Sequence, residues 1–546
     1  MRAGKNRRLA NVKTRTETGL EYILSCINLN TPFGKKQLKE IRPYFPGEEE
    51  DLREELDKVD HMIAFAGDNP RLVEQIGELF MEVKDVSYTL SRSAKSVLSV
   101  VEIYEVKTLL LQMRRLSQLL EGSSSVPDEY RLEDTTGLLD VLDPRGDRIN
   151  TFYIYDEFSE KLGQLRQEKR RIELEIRKEQ KAKRESIRKE YGIQLTPKFD
   201  VTVSRSHPDL EKVKSIPDLE LVYEDYMSLT FQLKPFGAVY EYVKEMENLN
   251  LQLEEEEETI RAELSQKISV WEKCLSGNCQ RMGALDLALG KATYAMEHSC
   301  TRPEIAEEHI IEIEEGRNLQ VEDILNKKGK KYCPVSISLG DGVTCITGAN
   351  MGGKTISLKL VGQVSILAQY GFFVPCRRAR VGLSNYMQML IGDSQSVERG
   401  LSSFGSEMEE LKEILDKSSD RSVLLIDEIA SGTNPVEGLA LTRSLVDYLK
   451  EKPYITLITT HFETVTETEG VINMQVRGLA DADFGKLNRE IQYANRRERI
   501  NIISKYMDYR LYRVQRQGQI PKDALNIAKM LGISKEIIDG AQKYLK

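Results

Sequence analysis

The sequence lacks any apolar run approaching the ~20 residues that a membrane-crossing helix needs, so no such segment is expected in its 546 residues. Its basic start, MRAGKNRRLANVKTRTETG, has no apolar stretch behind it, which argues against a secretory signal and for an ordinary frayed terminus. Cysteine is sparse and scattered (Cys26, Cys274, Cys279, Cys300, Cys333, Cys345 and Cys376), so a disulfide framework is not expected and a reducing, cytoplasmic setting is. Cys274 and Cys279 stand too far apart for a CxxC clip and have no histidine nearby, so they are not read as a zinc site. A basic excess is missing as well: 78 Lys and Arg against 87 Asp and Glu leave a formal net charge of −9. Contact with phosphates dominates affinity for DNA, so this balance lowers the expectation of a DNA binder, although a local basic patch would suffice.

What is present suits solvated helices: 40% hydrophobic and 30% charged residues, in a chain too long for one core. Residues 1–150 read as a helical core. It comprises ETGLEYILSCINL, then GKKQLKEIRPYF after a turn at Thr31-Pro32-Phe33-Gly34, then EEDLREELDKVDHMIAFAG. A further helical group runs from Leu72 to about Leu120, with apolar residues three and four apart. One long helix is predicted from about Thr151 to Tyr191, where Phe158, Leu162, Leu165, Ile172 and Ile176 form a stripe among charges of both signs. At 1.5 Å per residue it would span roughly 55–60 Å. Residues 195–235 hold the alternating run Phe199-Asp200-Val201-Thr202-Val203 and several prolines, which suggests a small tip domain. A return helix from Ala238 to about Leu275 then closes an antiparallel, coiled-coil-like arm over 151–275, and 276–304 leads back to the core. The acidic run Glu254–Glu258 reads as a solvated face rather than a metal site, because successive helix positions point in different directions.

Near residue 305 the composition changes. HIIEIEEG, VSISL, VTCIT, VLLID and ITLIT are short β-rich runs separated by helical segments, which signals an α/β domain with a mostly parallel sheet over 305–520. Within it, a strand ending at Thr347 leads into Gly348-Ala349-Asn350-Met351-Gly352-Gly353-Lys354-Thr355, a match to G-x-x-x-x-G-K-[ST] between strand and helix. Glycines at such a turn let backbone N–H groups face phosphates, and the helix that follows offers its positive end. Lys354 is therefore expected to reach the β- and γ-phosphates of ATP, and the Thr355 hydroxyl to ligate Mg²⁺. Val423–Glu428 reads as a buried strand ending in two carboxylates. Asp427 is expected to hold Mg²⁺ directly or through water, and Glu428 to polarise the attacking water as general base. An acidic pair merely capping a loop is the plain alternative; the phosphate loop upstream favours the catalytic one. Ile455–Thr459 ends at Thr460-His461, and a histidine there can contact a γ-phosphate or the attacking water. Residues 521–546 read as two short amphipathic helices on either side of Gly532.

These segments resemble the MutS family of ABC-type ATPases. ITGANMGGKTISLKLVGQVSILAQYGFFVPC is similar to that family's phosphate loop and following helix, and LLIDEIASGTNP and ITTHF to its acidic strand and histidine switch. IGDSQSVERGLSSFGSEM resembles the family's signature segment, with Ser402 in place of the serine that reaches the γ-phosphate of the partner subunit. INLNTPFGKKQL is similar to the start of the family's helical core, and LDLALGKATYA and IIEIEEGRN to its junction into the ATPase. The resemblance implies core, lever and clamp segments and a homodimer with two composite ATP sites, and the C-terminal helix pair fits its dimerising segment.

It also leaves the client open. The family's mismatch readers begin with a domain that wedges an aromatic residue into DNA, and the expectation here is a chain without it, opening at the core. The loop wording IGDSQSVERGLSSF is nearer the second bacterial MutS branch, which acts on branched DNA or stalled ribosomes and carries a C-terminal nuclease-like domain. The ending IPKDALNIAKMLGISKEIIDGAQKYL is similar to the MutS-like ATPase of the lysine 5,6-aminomutase reactivase. Two expectations follow. One is a reactivase ATPase acting, with a second reactivase subunit, on an adenosylcobalamin-dependent aminomutase. The other is a clamp on mispaired or branched double-stranded DNA, against which the absence of a clear Lys/Arg cluster in 195–235 counts.

Overall fold

The computed structural model describes the chain except residues 1–6, 122–125, 349–352, 393–402, 480–481, 493–498, 500–501, 504, 515–522 and 545–546. It divides into two compact units, one of Met1–Met81, Ser125–Tyr130 and Met282–Lys546, the other of Glu82–Ser124 and Arg131–Arg281. In chain order the first unit opens with helices α1 (Val12–Glu17), α2 (Leu20–Cys26), α3 (Pro32–Lys39), α4 (Glu49–Asp68) and α5 (Pro70–Met81). The second holds α6 (Ser87–Ser93), α7 (Val100–Glu121), α8 (Thr136–Leu142), α9 (Glu160–Tyr191), β1 (Asp200–Ser204), α10 (Leu210–Lys214), β2 (Leu219–Glu224), β3 (Ser228–Leu233) and α11 (Ala238–Val270). The division falls inside α12 (Glu272–Glu297).

Three helical expectations are corrected. Thr31–Gly34 is not a turn before α3 but its first turn: the Thr31 hydroxyl accepts from the Gly34 N–H at 2.9 Å, and Pro32 sits where a missing N–H costs nothing. Residues 151–155 are not helical, and Asp156–Phe158 form only a short 3₁₀ turn. Ser159 caps α9, accepting from the Leu162 N–H, so the helix is 32 residues long, about 48 Å. The aromatic rings of Phe152, Tyr153, Tyr155 and Phe158 cluster ahead of it instead. The buried Lys107 ammonium pins that stretch, donating to the Thr151 carbonyl at 2.9 Å while paired with Asp143 at 3.0 Å. The return helix ends at Val270 rather than near Leu275, and a new helix starts after Trp271.

Lys161 pairs with Glu256 and Arg166 with Glu257 near one end, and further along α9 Lys169 donates to the side-chain Oδ1 of Asn250, which lies earlier in α11. The two helices are therefore antiparallel. The acidic run is only partly solvated, because Glu256 and Glu257 turn toward α9 while Glu254, Glu255 and Glu258 face water. Between the helices, β1, β3 and β2 form a three-stranded antiparallel sheet with α10 on one face.

The first unit resumes with β4 (Glu304–Ala306), β5 (Ile310–Gly316), α13 (Leu319–Lys327), β6 (Val335–Gly340), β7 (Gly342–Thr347), α14 (Lys354–Gln369), β8 (Arg378–Gly382) and β9 (Tyr386–Ile391). There follow α15 (Ser403–Lys417), β10 (Ser422–Asp427), α16 (Pro435–Leu449), β11 (Tyr454–Thr459), β12 (Ile472–Gly478), α17 (Phe484–Gln492), β13 (Asp508–Arg513), α18 (Asp523–Met530) and α19 (Lys535–Tyr544). A helical N-terminal region is thus followed by an α/β domain. Its main sheet has the order β13-β12-β7-β11-β10-β9 and is parallel except for β13; a second sheet runs β4-β8-β5-β6.

Helix α14 is buried along nearly its whole length against the main sheet. Gly362 permits the approach: a Cβ there would stand 2.6 Å from Thr18 Cγ2 and 3.0 Å from Leu425 Cδ1. The same core takes in Leu9, Leu20, Ile23 and Ile27, which is why the first helices, expected as part of one helical core over 1–150, share a unit with the α/β domain.

Candidate functional site

Parallel strands β7, β11 and β10 are neighbours, so the residues just past their C-terminal ends come together although up to 107 positions separate them. At the end of β7, Gly348 (φ 129°) and Gly353 (φ 81°) bracket the predicted loop in backbone conformations that favour glycine, and α14 begins at Lys354. Ala349, Asn350, Met351 and Gly352 lie outside the described residues, as does Ser402.

Lys354 is almost fully buried. Its ammonium donates to the Gly348 carbonyl at 2.9 Å and stands 3.2 Å from Glu428 Oε1 and 3.2 Å from His461 Nδ1. The other ring nitrogen of His461, Nε2, lies 2.8 Å from the same Glu428 oxygen. A neutral imidazole protonated at Nε2 satisfies both contacts, accepting from Lys354 and donating to Glu428. Burial holds the Lys354 pKa below the usual lysine range, with Glu428 pulling the other way; desolvation wins. The Glu428 carboxyl is held below the usual glutamate range, first by the hydrogen bond from His461 and then, against burial, by Lys354. The site therefore combines an ionised carboxylate with a cation that is costly to leave without an anion.

Beside this trio lies a pair of oxygen donors. The Thr355 hydroxyl donates to Asp427 Oδ2 at 2.8 Å, and the Thr459 hydroxyl to Asp427 Oδ1 at 2.5 Å. The Glu428 N–H donates to the carbonyl and hydroxyl oxygens of Thr459 at 3.1 and 3.0 Å. Glu428 (φ 48°) and Ala430 (φ 59°) both have left-handed backbone, which is rare for residues with a Cβ and typical of over-determined functional turns. Behind this turn, the Ala430 N–H donates to Glu407 of α15 at 3.2 Å, and burial raises the Glu407 pKa.

The structure thus gathers Gly348, Gly353, Lys354, Thr355, Asp427, Glu428 and His461. Sequence reasoning missed Thr459 and Glu407. Thr459 ends a strand that the sequence marks, but only the register of the folded sheet sets it directly opposite Asp427; Glu407 carries no signal in its own segment. An all-oxygen pair such as Thr355 and Asp427 fits a hard ion like Mg²⁺, which is commonly held by one or two protein oxygens plus phosphates and water. Among the described residues no group of three or more His, Cys, Asp or Glu side chains converges in a way that would hold a metal by itself.

Comparison with known proteins adds the following. Residues 344–546 match MutS domain V. Over 99% of its length the chain is 26% identical to a DNA mismatch repair protein MutS of Salinibacter ruber, of which it covers 58%. It is 36% identical over 239 residues to an endonuclease MutS2 of Clostridium botulinum and 35% over 243 residues to one of Agathobacter rectalis, covering 30% of each. The chain spans little more than half the length of the first of these relatives and under a third of the others.

Proposed function

We propose that this chain, similar to MutS domain V over 344–546 and to both groups of relatives, is a MutS-family ATP hydrolase whose nucleotide cycle moves its helical unit. The observation that carries this reading is the convergence of Lys354, Thr355, Asp427, Glu428 and His461 past the ends of adjacent parallel strands, the usual ligand position in an α/β sheet. In this reading Lys354 exchanges Glu428 for the β- and γ-phosphate oxygens. That exchange releases an ionised Glu428 to orient and deprotonate the attacking water. His461, already hydrogen-bonded to Glu428, steers that carboxylate and reaches the γ-phosphate side. Thr355 and Asp427 hold Mg²⁺, which supplies charge neutralisation across the phosphates. Gly348 through Gly353, with Ala349, Asn350, Met351 and Gly352 between them, line the triphosphate. Ser402 of the partner subunit completes each site in a homodimer.

Two substitutions test the assignment. Lys354→Ala removes the buried cation and is expected to abolish ATP binding by calorimetry. Glu428→Gln is expected to bind ATP normally and to lose at least about a hundred-fold in turnover, the lower end of what general-base catalysis contributes. Undiminished hydrolysis by Glu428→Gln would overturn the assignment of the base.

For the client, we favour a protein over a nucleic acid. The described tip of the second unit carries an acidic strand and exposed apolar side chains rather than a basic cluster, which suits a remodelling ATPase such as an aminomutase reactivase. Recovery of cofactor-inactivated aminomutase, with ATP and the second reactivase subunit present, tests this. The names of the relatives support the second reading, a clamp on mispaired or branched DNA. Duplex or junction binding that weakens steeply as salt rises from about 50 mM would favour it.

A further inference from the structure

The turn that carries the proposed base is strained and is held from both ends. Glu428 (φ 48°) and Ala430 (φ 59°) take left-handed backbone without being glycine, a state that persists only where the surrounding structure imposes it. On the Glu428 side the hold comes from Thr459, whose carbonyl and hydroxyl oxygens both accept the Glu428 N–H. On the Ala430 side, Gly438 of α16 packs so closely that a Cβ there would stand 2.8 Å from the Ala430 carbonyl oxygen. The Ala430 N–H donates to Glu407 Oε2 of α15 at 3.2 Å.

A glutamate is out of place at position 407 on packing grounds alone. Phe404, Met408, Leu411 and Leu415 form the face that α15 packs against the cluster containing Ile429 and Ala430. They recur at helical spacing, so Glu407, between Phe404 and Met408, falls beside that apolar face. Its carboxyl is half-buried and, among the described residues, has no cation as partner. The nearby Glu410 repels it and is itself paired with Lys13 at 2.7 Å. Burial and Glu410 both raise the Glu407 pKa, against the hydrogen bond from Ala430. Burying a carboxyl is unfavourable unless it is hydrogen-bonded, so the group is explained by the N–H it accepts. That N–H lies two residues from Glu428, whose Oε1 stands 2.8 Å from His461 and 3.2 Å from Lys354. Misplacing such a group by about 1 Å can cost about a hundred-fold in rate.

We propose that Glu407 is a positioning residue for hydrolysis: by accepting the Ala430 N–H it fixes the turn that aims Glu428, and so makes the base depend on α15. The proposal rests on the ATPase reading. The test compares Glu407→Ala and Glu407→Gln with the wild type, as full chains with Mg-ATP. Glu407→Ala should bind ATP within about two-fold of wild type by calorimetry, while kcat falls about ten- to a hundred-fold and KM changes little. Glu407→Gln keeps an oxygen acceptor and should restore most of that turnover. In the nucleotide-free chain, hydrogen exchange of the Ala430 amide should quicken in Glu407→Ala and stay near the wild-type rate in Glu407→Gln. A merely structural glutamate would instead lower the thermal midpoint and ATP affinity along with turnover. Three results would overturn the proposal: wild-type kcat in Glu407→Ala, equal losses in the two variants, or loss of ATP binding that matches the loss of turnover. Each of them leaves the ATPase reading standing. A wild type without turnover would sink that reading, and this proposal with it.

Discussion

At the scale of single residues, the site is a set of groups whose ionisation is fixed by contact. Glu428 is the informative one. Its pKa lies below the ordinary glutamate value of 4.5, chiefly because His461 donates to it. A carboxyl whose folded pKa is depressed contributes stability that is fully present above its unfolded pKa and is lost as pH falls through the depressed value. Thermal unfolding of the nucleotide-free chain should therefore show the wild type losing ground to Glu428→Gln as pH drops below 4.5. A gap between the two that stays constant through that range would contradict the contact. The same contact, with Lys354, offsets the burial that pushes the Glu428 pKa upward, so the proposed base stays ionised as an ordinary glutamate would.

At the scale of elements, two packing arrangements make opposite demands. Helix α14 must lie close to the sheet, and Gly362 is the position where that closeness is absolute. Thr18, whose methyl a new Cβ would strike, is held by its hydroxyl bonds to the carbonyls of Thr14 and Arg15 and cannot yield cheaply. Gly362→Ala gains up to about 1 kcal/mol of helix propensity but loses more by overpacking, about 1–3 kcal/mol. Chemical denaturation should accordingly show a less stable protein. The α9–α11 pair, by contrast, is joined largely by charge. Arg166 is three-quarters buried and donates to the Ile154 carbonyl, Asp156 and Glu257 at once. Arg166→Ala should cost about 1–2 kcal/mol. A double-mutant cycle with Glu257→Ala should return a coupling of about 0.5–1 kcal/mol, because Glu257 is itself partly solvated.

At the scale of the whole molecule, the proposed composite site makes association nucleotide-dependent. Glu428→Gln with ATP should sediment as a dimer that persists, whereas the wild type should return to its nucleotide-free state as ATP is consumed. Lys354→Ala should show no response to ATP. Sedimentation velocity distinguishes these outcomes, and a wild type whose mass is indifferent to ATP would count against the shared site.

Much of this was legible in the chain. The strand-loop-helix at 342–369, the carboxylates at 427–428 and the histidine at 461 are local patterns, and a local pattern survives in sequence because its residues act within one turn or strand end. The α9–α11 pair was legible in outline, from a stripe at helical spacing. Its ends were not, because Ser159 as a cap and Trp271 as a break compete with helix-compatible neighbours. The partners were beyond the sequence: Thr459 for Asp427, Glu407 for the turn at Ala430, and Asp286, which receives the Thr31 hydroxyl and amide from 255 positions away. Residue type and spacing alone determined which chemistry the chain can carry and where its elements lie. Strand order and register decided which groups face one another, since those contacts are set by the packing of distant segments and leave no mark on either segment alone.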